Sequence, residues 1–153
     1  MIKMIVTFCG HCDLVSDDSV RLWLYEIVEH LIEKGATKFH LGGYGNFDRI
    51  AASVVWELKQ QYPQIISVLV LPYLDRKVDA KRYDYTTYPP LEAVPKRFAI
   101  SRRNQWMVNE ADVVVAYVTH TWGGAAATLE YGKRKKKEIV SYAECVNNHI
   151  SHP

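Results

Sequence analysis

Short apolar segments alternate along this chain with longer amphipathic segments, and that alternation restricts the fold more than any other feature. The apolar segments predict five strands, at residues 3–8, 38–41, 65–71, 112–118 and 138–142. Helices are predicted between them, from 17 or 18 to 34, over 47–61, from 94 or 96 to 110, and over 125–134. Strands joined through helices form a parallel sheet with right-handed crossovers. We therefore expect an α/β fold: a single Rossmann-like three-layer domain with a five-stranded mainly parallel sheet.

Length and charge limit the function classes. The 153 residues make one domain, taken as residues 1–145, followed by a C-terminal tail at 146–153. The 19 Lys and Arg nearly balance the 17 Asp and Glu, whereas a dedicated nucleic-acid binder usually carries a strongly basic face. No run approaches the roughly 18 apolar residues of a membrane span. Nucleic acid and membrane are therefore not the expected partners.

The cysteines and the N-terminal segment bear on localisation. Cys9, Cys12 and Cys145 are too few and too unevenly placed for the disulfide framework of a secreted protein. Residues 1–8 are too short a segment for a signal peptide. We expect a cytoplasmic protein with reduced thiols.

The candidate site lies at the strand ends, because ligands of such sheets bind beyond the carboxyl ends of the strands, where the winding direction reverses. The candidate residues at or just after those ends are Gly10, His11, Gly42, Gly43, Tyr44, Gly45, Tyr73, Thr119, Trp122, Gly123, Gly124, Ala125 and Thr128. Residues 76–95, in the long irregular stretch that leads into the third helix, are expected to form a lid loop. The rings on which a base could stack are those of Tyr73, Tyr83, Tyr85, Tyr88 and Trp122.

Two glycine-rich turns connect a strand with a helix, at residues 42–45 and 123–125. Glycine permits a tight turn and leaves N–H groups at a helix N-terminus free to meet an anion. Neither turn has the G-x-G-x-x-G or Walker A spacing. The turns therefore predict an anion site of another type, with a plain strand-to-helix turn as the alternative for the first.

Glu130 lies about two helical turns beyond Gly124. It could face a sugar whose phosphate sits on the glycines, or it could be a surface carboxylate paired with Lys133 or Arg134. Spacing alone leaves both interpretations open.

Three segments, taken in order, resemble the SLOG superfamily, the Rossmann-like group that includes YpsA-like proteins, DprA and the LOG phosphoribohydrolases. These segments are residues 98–107, 111–116 and 123–130. Residues 8–11 (Phe-Cys-Gly-His) are similar to the Thr-Gly-His start of YpsA-like members, and Gly42 to Asp48 to their second glycine loop. The resemblance covers about residues 3–142, and it adds Asp48 and Asn104 to the expected ligand-binding residues.

The LOG enzymes use an Arg-Lys-x-x-Met segment and a Pro-Gly-Gly-x-Gly-Thr-x-x-Glu segment to bind a nucleoside monophosphate and release its base from ribose 5-phosphate. Arg103 falls on that arginine and Glu130 on that glutamate. The resemblance therefore implies that Arg103 holds a phosphate and that Glu130 stabilises an oxocarbenium-like transition state. This chain departs from the motifs at Asn104 (for lysine), Trp122 (for proline), Ala126 (for glycine) and Ala127 (for threonine). Binding survives such changes more easily than turnover does.

A thiol oxidoreductase is an alternative function, because residues 9–12 spell the redox motif Cys-Gly-His-Cys. The helix that would lower a thiol pKa does not follow directly, and Asp13, Asp17 and Asp18 disfavour a thiolate. A metal site on this segment lacks an evident fourth ligand, so neither a metal nor a cofactor is expected. The basic run at 133–137 is typical of a helix C-terminus, and a DNA-binding module is the third alternative.

The sequence thus predicts a protein that binds a nucleotide or nucleotide-derived signalling molecule at the C-terminal edge of its sheet. In one form of this hypothesis the protein cleaves the N-glycosidic bond of the ligand, as the LOG phosphoribohydrolases do. In the other it only senses or sequesters the ligand. The expected partner is a small molecule. A homodimer or higher homo-oligomer is also expected from the resemblance, with Trp106 and Val108 partly buried against the second copy.

Overall fold

The computed structural model describes residues 3–14, 18–75 and 77–142. Its elements, in chain order, are β1 (Met4–Gly10), α1 (Asp18–Glu33), β2 (Ala36–Leu41), α2 (Asn46–Leu58), β3 (Ile66–Val70), β4 (Tyr85–Thr87), a 3₁₀ turn (Lys96–Phe98), α3 (Ala99–Glu110), β5 (Val113–Tyr117), α4 (Gly124–Arg134) and β6 (Glu138–Ser141). Every predicted strand and helix forms, with its ends displaced by a few residues. The predicted tail and Cys145 fall outside the described residues.

The described strands form one sheet in the order β4-β3-β2-β1-β5-β6, and all of its neighbouring pairs are parallel. The prediction of five strands is therefore wrong by one. The sixth strand, β4, lies inside the stretch 76–95 that was expected to be loop throughout. Tyr85 and Thr86 on this strand are exposed, so the short edge strand lacks the apolar run by which buried parallel strands are recognised.

The packing of alternate β5 side chains shows which helices cover each face of the sheet. Val113 and Val115 belong to the core cluster that contains the buried faces of α1 and α2. Val114 and Ala116 belong to the cluster that contains Val108 of α3 and Leu129 of α4. Since successive side chains of a strand point to opposite faces, the sheet lies between two helix pairs, which confirms the three-layer Rossmann-like fold.

The winding direction reverses between β1 and β5, which are neighbours at the centre of the sheet. The chain runs from β1 outward through β2 and β3 to β4, and then returns through α3 to β5 on the other side of β1. The loops after β1 and β5 therefore diverge, which opens a crevice at their carboxyl ends. Within the described ranges, none of the helices has the length and apolar character needed to cross a membrane.

Candidate functional site

A cleft of about 310 Å³ opens at this reversal point. The predicted site residues that line it are Gly10, His11, Tyr44, Asp48, Arg103, Asn104, Trp122, Gly123, Gly124, Ala125 and Thr128. They come from the end of β1, from the loops after β1, β2 and β5, and from α2, α3 and α4, which the topology brings together. The structure thus assembles most of the predicted residues in one place.

A second cavity of about 350 Å³, here called the β3 chamber, adjoins the cleft. It contains three further predicted residues, Gly42, Gly43 and Tyr73. Tyr44, Ile100 and Arg103 line both the chamber and the cleft. The two cavities are therefore neighbours with a shared wall.

The remaining predicted residues lie elsewhere. Gly45 lines a third hollow, which shares Gly43 and Tyr83 with the β3 chamber. Thr119 and Glu130 line a fourth, on the far side of α4. Glu130 is exposed, and its Oε1 lies 3.6 Å from Nζ of Lys133, the surface pairing that its spacing allowed. The structure therefore does not bring Glu130 and Arg103 to one cavity.

Arg103 is the buried cation of the site, with 2% of its surface exposed. Its Nη1 donates to the carbonyl oxygens of Gly42 (2.8 Å) and Val70 (2.9 Å), and its Nε donates to Oδ1 of Asn104 (2.8 Å). Burial lowers the pKa of the guanidinium, and the nearby Asp48 opposes that shift. Three hydrogen bonds thus fix the plane of the guanidinium, while Nη2 donates to none of the residues that the structure describes.

Asp48 is the buried acid beside it, in the first turn of α2. Its Oδ2 accepts the backbone N–H of Tyr44 at 3.2 Å. Burial raises the pKa of this carboxyl to about 6, although the Tyr44 N–H and Arg103 favour its charged form. Asp48 therefore titrates near neutral pH inside the cleft, and a ligand anion there would compete with it for Arg103.

Gly123 and Gly124 place the N-terminus of α4 at the cleft. Gly123, the residue before the helix, has φ +93°, a conformation that other residues rarely adopt. A Cβ on Gly124 would meet nothing within 4 Å. The first N–H groups of a helix lack intrahelical acceptors, so the open space beside Gly124 suits an anion.

A stack of three rings forms the wall between β1 and α4. The ring centroids of His11 and His120 lie 3.7 Å apart, and those of His120 and Trp122 lie 3.9 Å apart. Nε2 of His11 accepts the N–H of Thr119 at 2.8 Å, and burial followed by the neighbouring His120 lowers the His11 pKa. His11 is therefore a neutral ring that holds the loop after β5 in place.

His120 is a site residue that the sequence argument missed. It lines the cleft, and its buried Nδ1 has no hydrogen-bond partner among the described residues. Its position between β5 and Gly123, in a turn already selected for binding, was the signal that could have found it. Stacking against His11, which lies 109 positions earlier in the chain, has no local signature.

Cys9 lacks the lowered thiol pKa that a redox pair with Cys12 would need. Both Cys9 and Cys12 carry free thiols; Cys9 is buried and Cys12 is exposed. Burial, and then the charge of Asp48, raises the pKa of Cys9 to about 12. A nucleophilic thiol needs the opposite shift, so the geometry argues against the oxidoreductase alternative. Within residues 3–14, 18–75 and 77–142, no three His, Cys, Asp or Glu side chains are grouped to hold a metal ion.

The helix expected to form an interface uses its apolar residues internally. Val108 is fully buried within its own chain, against β5 and α4. Trp106 stacks on His40, with parallel rings 5.7 Å apart. The expectation that Val108 meets a second copy is therefore wrong, because its own chain already covers it.

No protein-family model and no curated protein matches the chain. Solved structures do match its fold. The molybdenum cofactor carrier protein of Chlamydomonas reinhardtii is 17% identical over 98% of this chain and 84% of its own, with a TM-score of 0.63. The molybdenum cofactor binding protein of Rippkaea orientalis is 16% identical over 92% and 77%, with a TM-score of 0.65.

DNA processing protein A (DprA) of Helicobacter pylori, described for its single-stranded DNA binding, also matches. It is 15% identical over 90% of this chain and 64% of its own, with a TM-score of 0.64. The fold is thus the Rossmann-like three-layer sandwich of these proteins. The resemblance to the SLOG superfamily, which includes DprA, is confirmed at the level of the fold.

Proposed function

We propose that the cleft at the strand reversal binds a nucleotide or a nucleotide-derived small molecule through its phosphate group. Arg103 is the observation that carries this proposal. A buried guanidinium is costly unless an anion compensates it. Asp48 compensates it in part, but among the described residues no carboxylate oxygen lies within 4 Å of the guanidinium, and burial raises the pKa of Asp48 to about 6. Nη2 of Arg103 is left for a ligand oxygen.

The N-terminus of α4 supplies a second set of donors in the same cleft. Gly123, Gly124 and Ala125 line the cavity together with Arg103. Helix N-termini favour anions through their free N–H groups and the helix dipole. A phosphate held between Arg103 and α4 would accept hydrogen bonds from the guanidinium and from the free N–H groups of the helix.

The position of Glu130 favours ligand binding over N-glycosidic cleavage. That side chain lies outside the cleft and pairs with Lys133, whereas a carboxylate that stabilises an oxocarbenium-like transition state must lie against the sugar. Single-stranded DNA is a polymer of nucleotides, so its binding by a protein of this fold supports the ligand class.

The test begins with the molecules that the purified protein carries. Mass spectrometry of small molecules released on denaturation is expected to find an intact phosphorylated ligand. Calorimetry then compares ribose 5-phosphate and the four common ribonucleoside 5′-monophosphates with their unphosphorylated nucleosides. The phosphorylated compounds are expected to bind and the nucleosides are not. Release of free base by the wild type, lost in Glu130→Ala, would instead establish cleavage.

Gly124→Glu and Ala127→Glu make a matched pair for this assay. Both add a carboxylate to the first turns of α4, but Gly124 lines the cleft and Ala127 is an exposed residue that does not. A Cβ at Gly124 meets no atom within 4 Å, so the fold tolerates the change. Gly124→Glu is expected to abolish phosphate-dependent binding and Ala127→Glu to preserve it. Equal effects would contradict the location of the site.

A further inference from the structure

The β3 chamber has the character of a site for a flat ring. Leu69, Leu71 and Ile100 give it apolar walls, and Tyr73 and Tyr83 add aromatic ones. Its volume, about 350 Å³, is of the size that small-molecule sites commonly have. The cleft beside it also has apolar lining, but it alone contains the N-terminus of α4, at Gly123 and Gly124. The anion donors of α4 therefore belong to the cleft, and the two cavities suit different parts of one molecule.

Gly43 lets the backbone beside the chamber lie close to the side chains of β3. Its φ is +69°, and a Cβ there would lie 2.5 Å from Cδ1 of Leu69 and 3.8 Å from the hydroxyl oxygen of Tyr83. The backbone between cleft and chamber can therefore run directly over β3 only because this residue has no side chain. The boundary between the cavities is formed by the three residues that line both, Tyr44, Ile100 and Arg103.

Tyr83 brings a neutral polar group to this wall. Burial, followed by the charges of Asp48 and Asp79, raises its pKa to about 12. The phenol therefore stays protonated at neutral pH. A protonated phenol can both donate and accept a hydrogen bond, as the edge of a heteroaromatic ring requires.

We infer that the β3 chamber receives the aromatic base of the ligand whose phosphate lies in the cleft, so that the bound molecule passes over Arg103 from one cavity to the other. This inference rests on the proposed function. It narrows the ligand class to molecules in which a planar ring system and a phosphate stand at opposite ends of a sugar.

Trp122 is the competing platform for the base. One face of its ring is already covered by His120, and the side chain is 69% exposed at the rim of the cleft. It also directly precedes Gly123, so a base stacked there would lie beside its own phosphate rather than at the far end of the sugar. The geometry therefore favours the chamber.

Val78→Glu and Leu74→Glu test the chamber as a matched pair. Both residues are exposed apolar residues of the same loop, but Val78 lines the chamber and Leu74 does not. Affinities for ribose 5-phosphate and for the four common ribonucleoside 5′-monophosphates are measured by calorimetry. At least one nucleotide is expected to bind about tenfold or more tighter than ribose 5-phosphate, as stacking of one base typically provides.

Val78→Glu is expected to remove the extra affinity of the nucleotide over ribose 5-phosphate and to leave the affinity for ribose 5-phosphate unchanged. Leu74→Glu is expected to change neither affinity. Trp122→Ala is expected to keep most of that extra affinity. If Trp122→Ala removes it and Val78→Glu does not, the base lies on Trp122 and the chamber inference is overturned. If wild type binds ribose 5-phosphate as tightly as every nucleotide, the chamber is overturned and the phosphate site stands. If none of the compounds binds, both proposals fail.

Discussion

Helices α2 and α4 begin with the same backbone geometry but meet different surroundings. The residues before them have φ and ψ of 90° and 176° (Gly45) and of 93° and 175° (Gly123). A Cβ on Gly45 would lie 2.4 Å from Cβ of Cys12, whereas a Cβ on Gly123 would meet only His120, at 3.9 Å. The loop after β1 thus fills the first helix N-terminus, and the second is open.

The two termini also differ in how their donors are satisfied. At the start of α2, the carbonyl oxygen of Cys12 accepts the Asn46 N–H at 3.1 Å, and in the turn before the helix the Asp48 carboxylate accepts the Tyr44 N–H. At α4, the first turn contains no acidic residue. The chain itself therefore fills the turn at the start of α2 and leaves the equivalent turn of α4 open, and this difference is the reason for proposing the anion site at α4.

The largest expected effect is that of Gly45→Ala. The new Cβ would combine a strained conformation at φ +90° with an overlap against Cβ and Cα of Cys12. Strain and overpacking of this kind cost about 1–3 kcal/mol each, so we expect a loss of about 4 kcal/mol in the free energy of unfolding. Urea denaturation measures it, and a loss below about 1 kcal/mol would show that the loop does not fill this terminus.

The next effect is the pH dependence that Asp48 contributes. Its pKa is about 6 in the folded protein, against 3.8 for an unperturbed aspartate, so the folded state binds more protons than the unfolded state between these pH values. By linkage, its contribution to the free energy of unfolding falls as pH rises from about 4 to about 6, by on the order of 3 kcal/mol. The carboxylate that completes the α2 terminus is thus held there at a cost.

Asp48→Asn should therefore gain stability relative to wild type as pH increases through this range, as measured by urea denaturation at a series of pH values. Asp84 is the control, because its contribution to stability is expected to change with pH in the opposite direction. Burial disfavours its charge, yet hydrogen bonds from Lys59 and Ser67 lower its pKa overall. Asp84→Asn should lose stability relative to wild type as pH rises. The same slope in both variants would contradict the assignment of Asp48.

Gly123→Ala is expected to cost less than Gly45→Ala, about 2 kcal/mol. The backbone strain is the same at φ +93°, but the new methyl group has room. Measuring Gly123→Ala and Gly45→Ala in one urea series separates the free-energy cost of steric overlap from the cost of backbone strain. Equal losses at the two positions would mean that the α4 terminus is as filled as that of α2.

The sequence predicts the parts of this molecule that depend on local pattern. β5 was recognisable because residues 113–116 are all apolar, and the glycine turns because glycine marks a strand-to-helix junction. The edge strand β4 was missed because Tyr85, Thr86 and Thr87 carry no apolar run, and they become a strand only by pairing with β3. Local pattern cannot show such pairing.

Site chemistry was less predictable because it depends on distant partners. The resemblance to a motif selects Arg103 as a candidate. Its burial and its hydrogen bonds to the carbonyl oxygens of Gly42 and Val70 depend on residues 61 and 33 positions away in the chain. The raised pKa of Asp48 comes from the same burial. Glu130 matched its motif equally well, yet α4 turns it away from the cleft.

The smallest expected effects are opposite in sign at the first residues of the two helices. Asn46 of α2 donates from Nδ2 to the carbonyl oxygen of Leu14 at 2.6 Å, so Asn46→Ala should destabilise by about 1 kcal/mol. Gly124 of α4 has no neighbour within 4 Å of a new Cβ, so Gly124→Ala should stabilise by about 0.5 kcal/mol, since alanine lowers the entropy of the unfolded chain. Urea denaturation resolves the two signs. A destabilised Gly124→Ala would mean that the chain already occupies the space beside α4, and the site would then have to lie elsewhere.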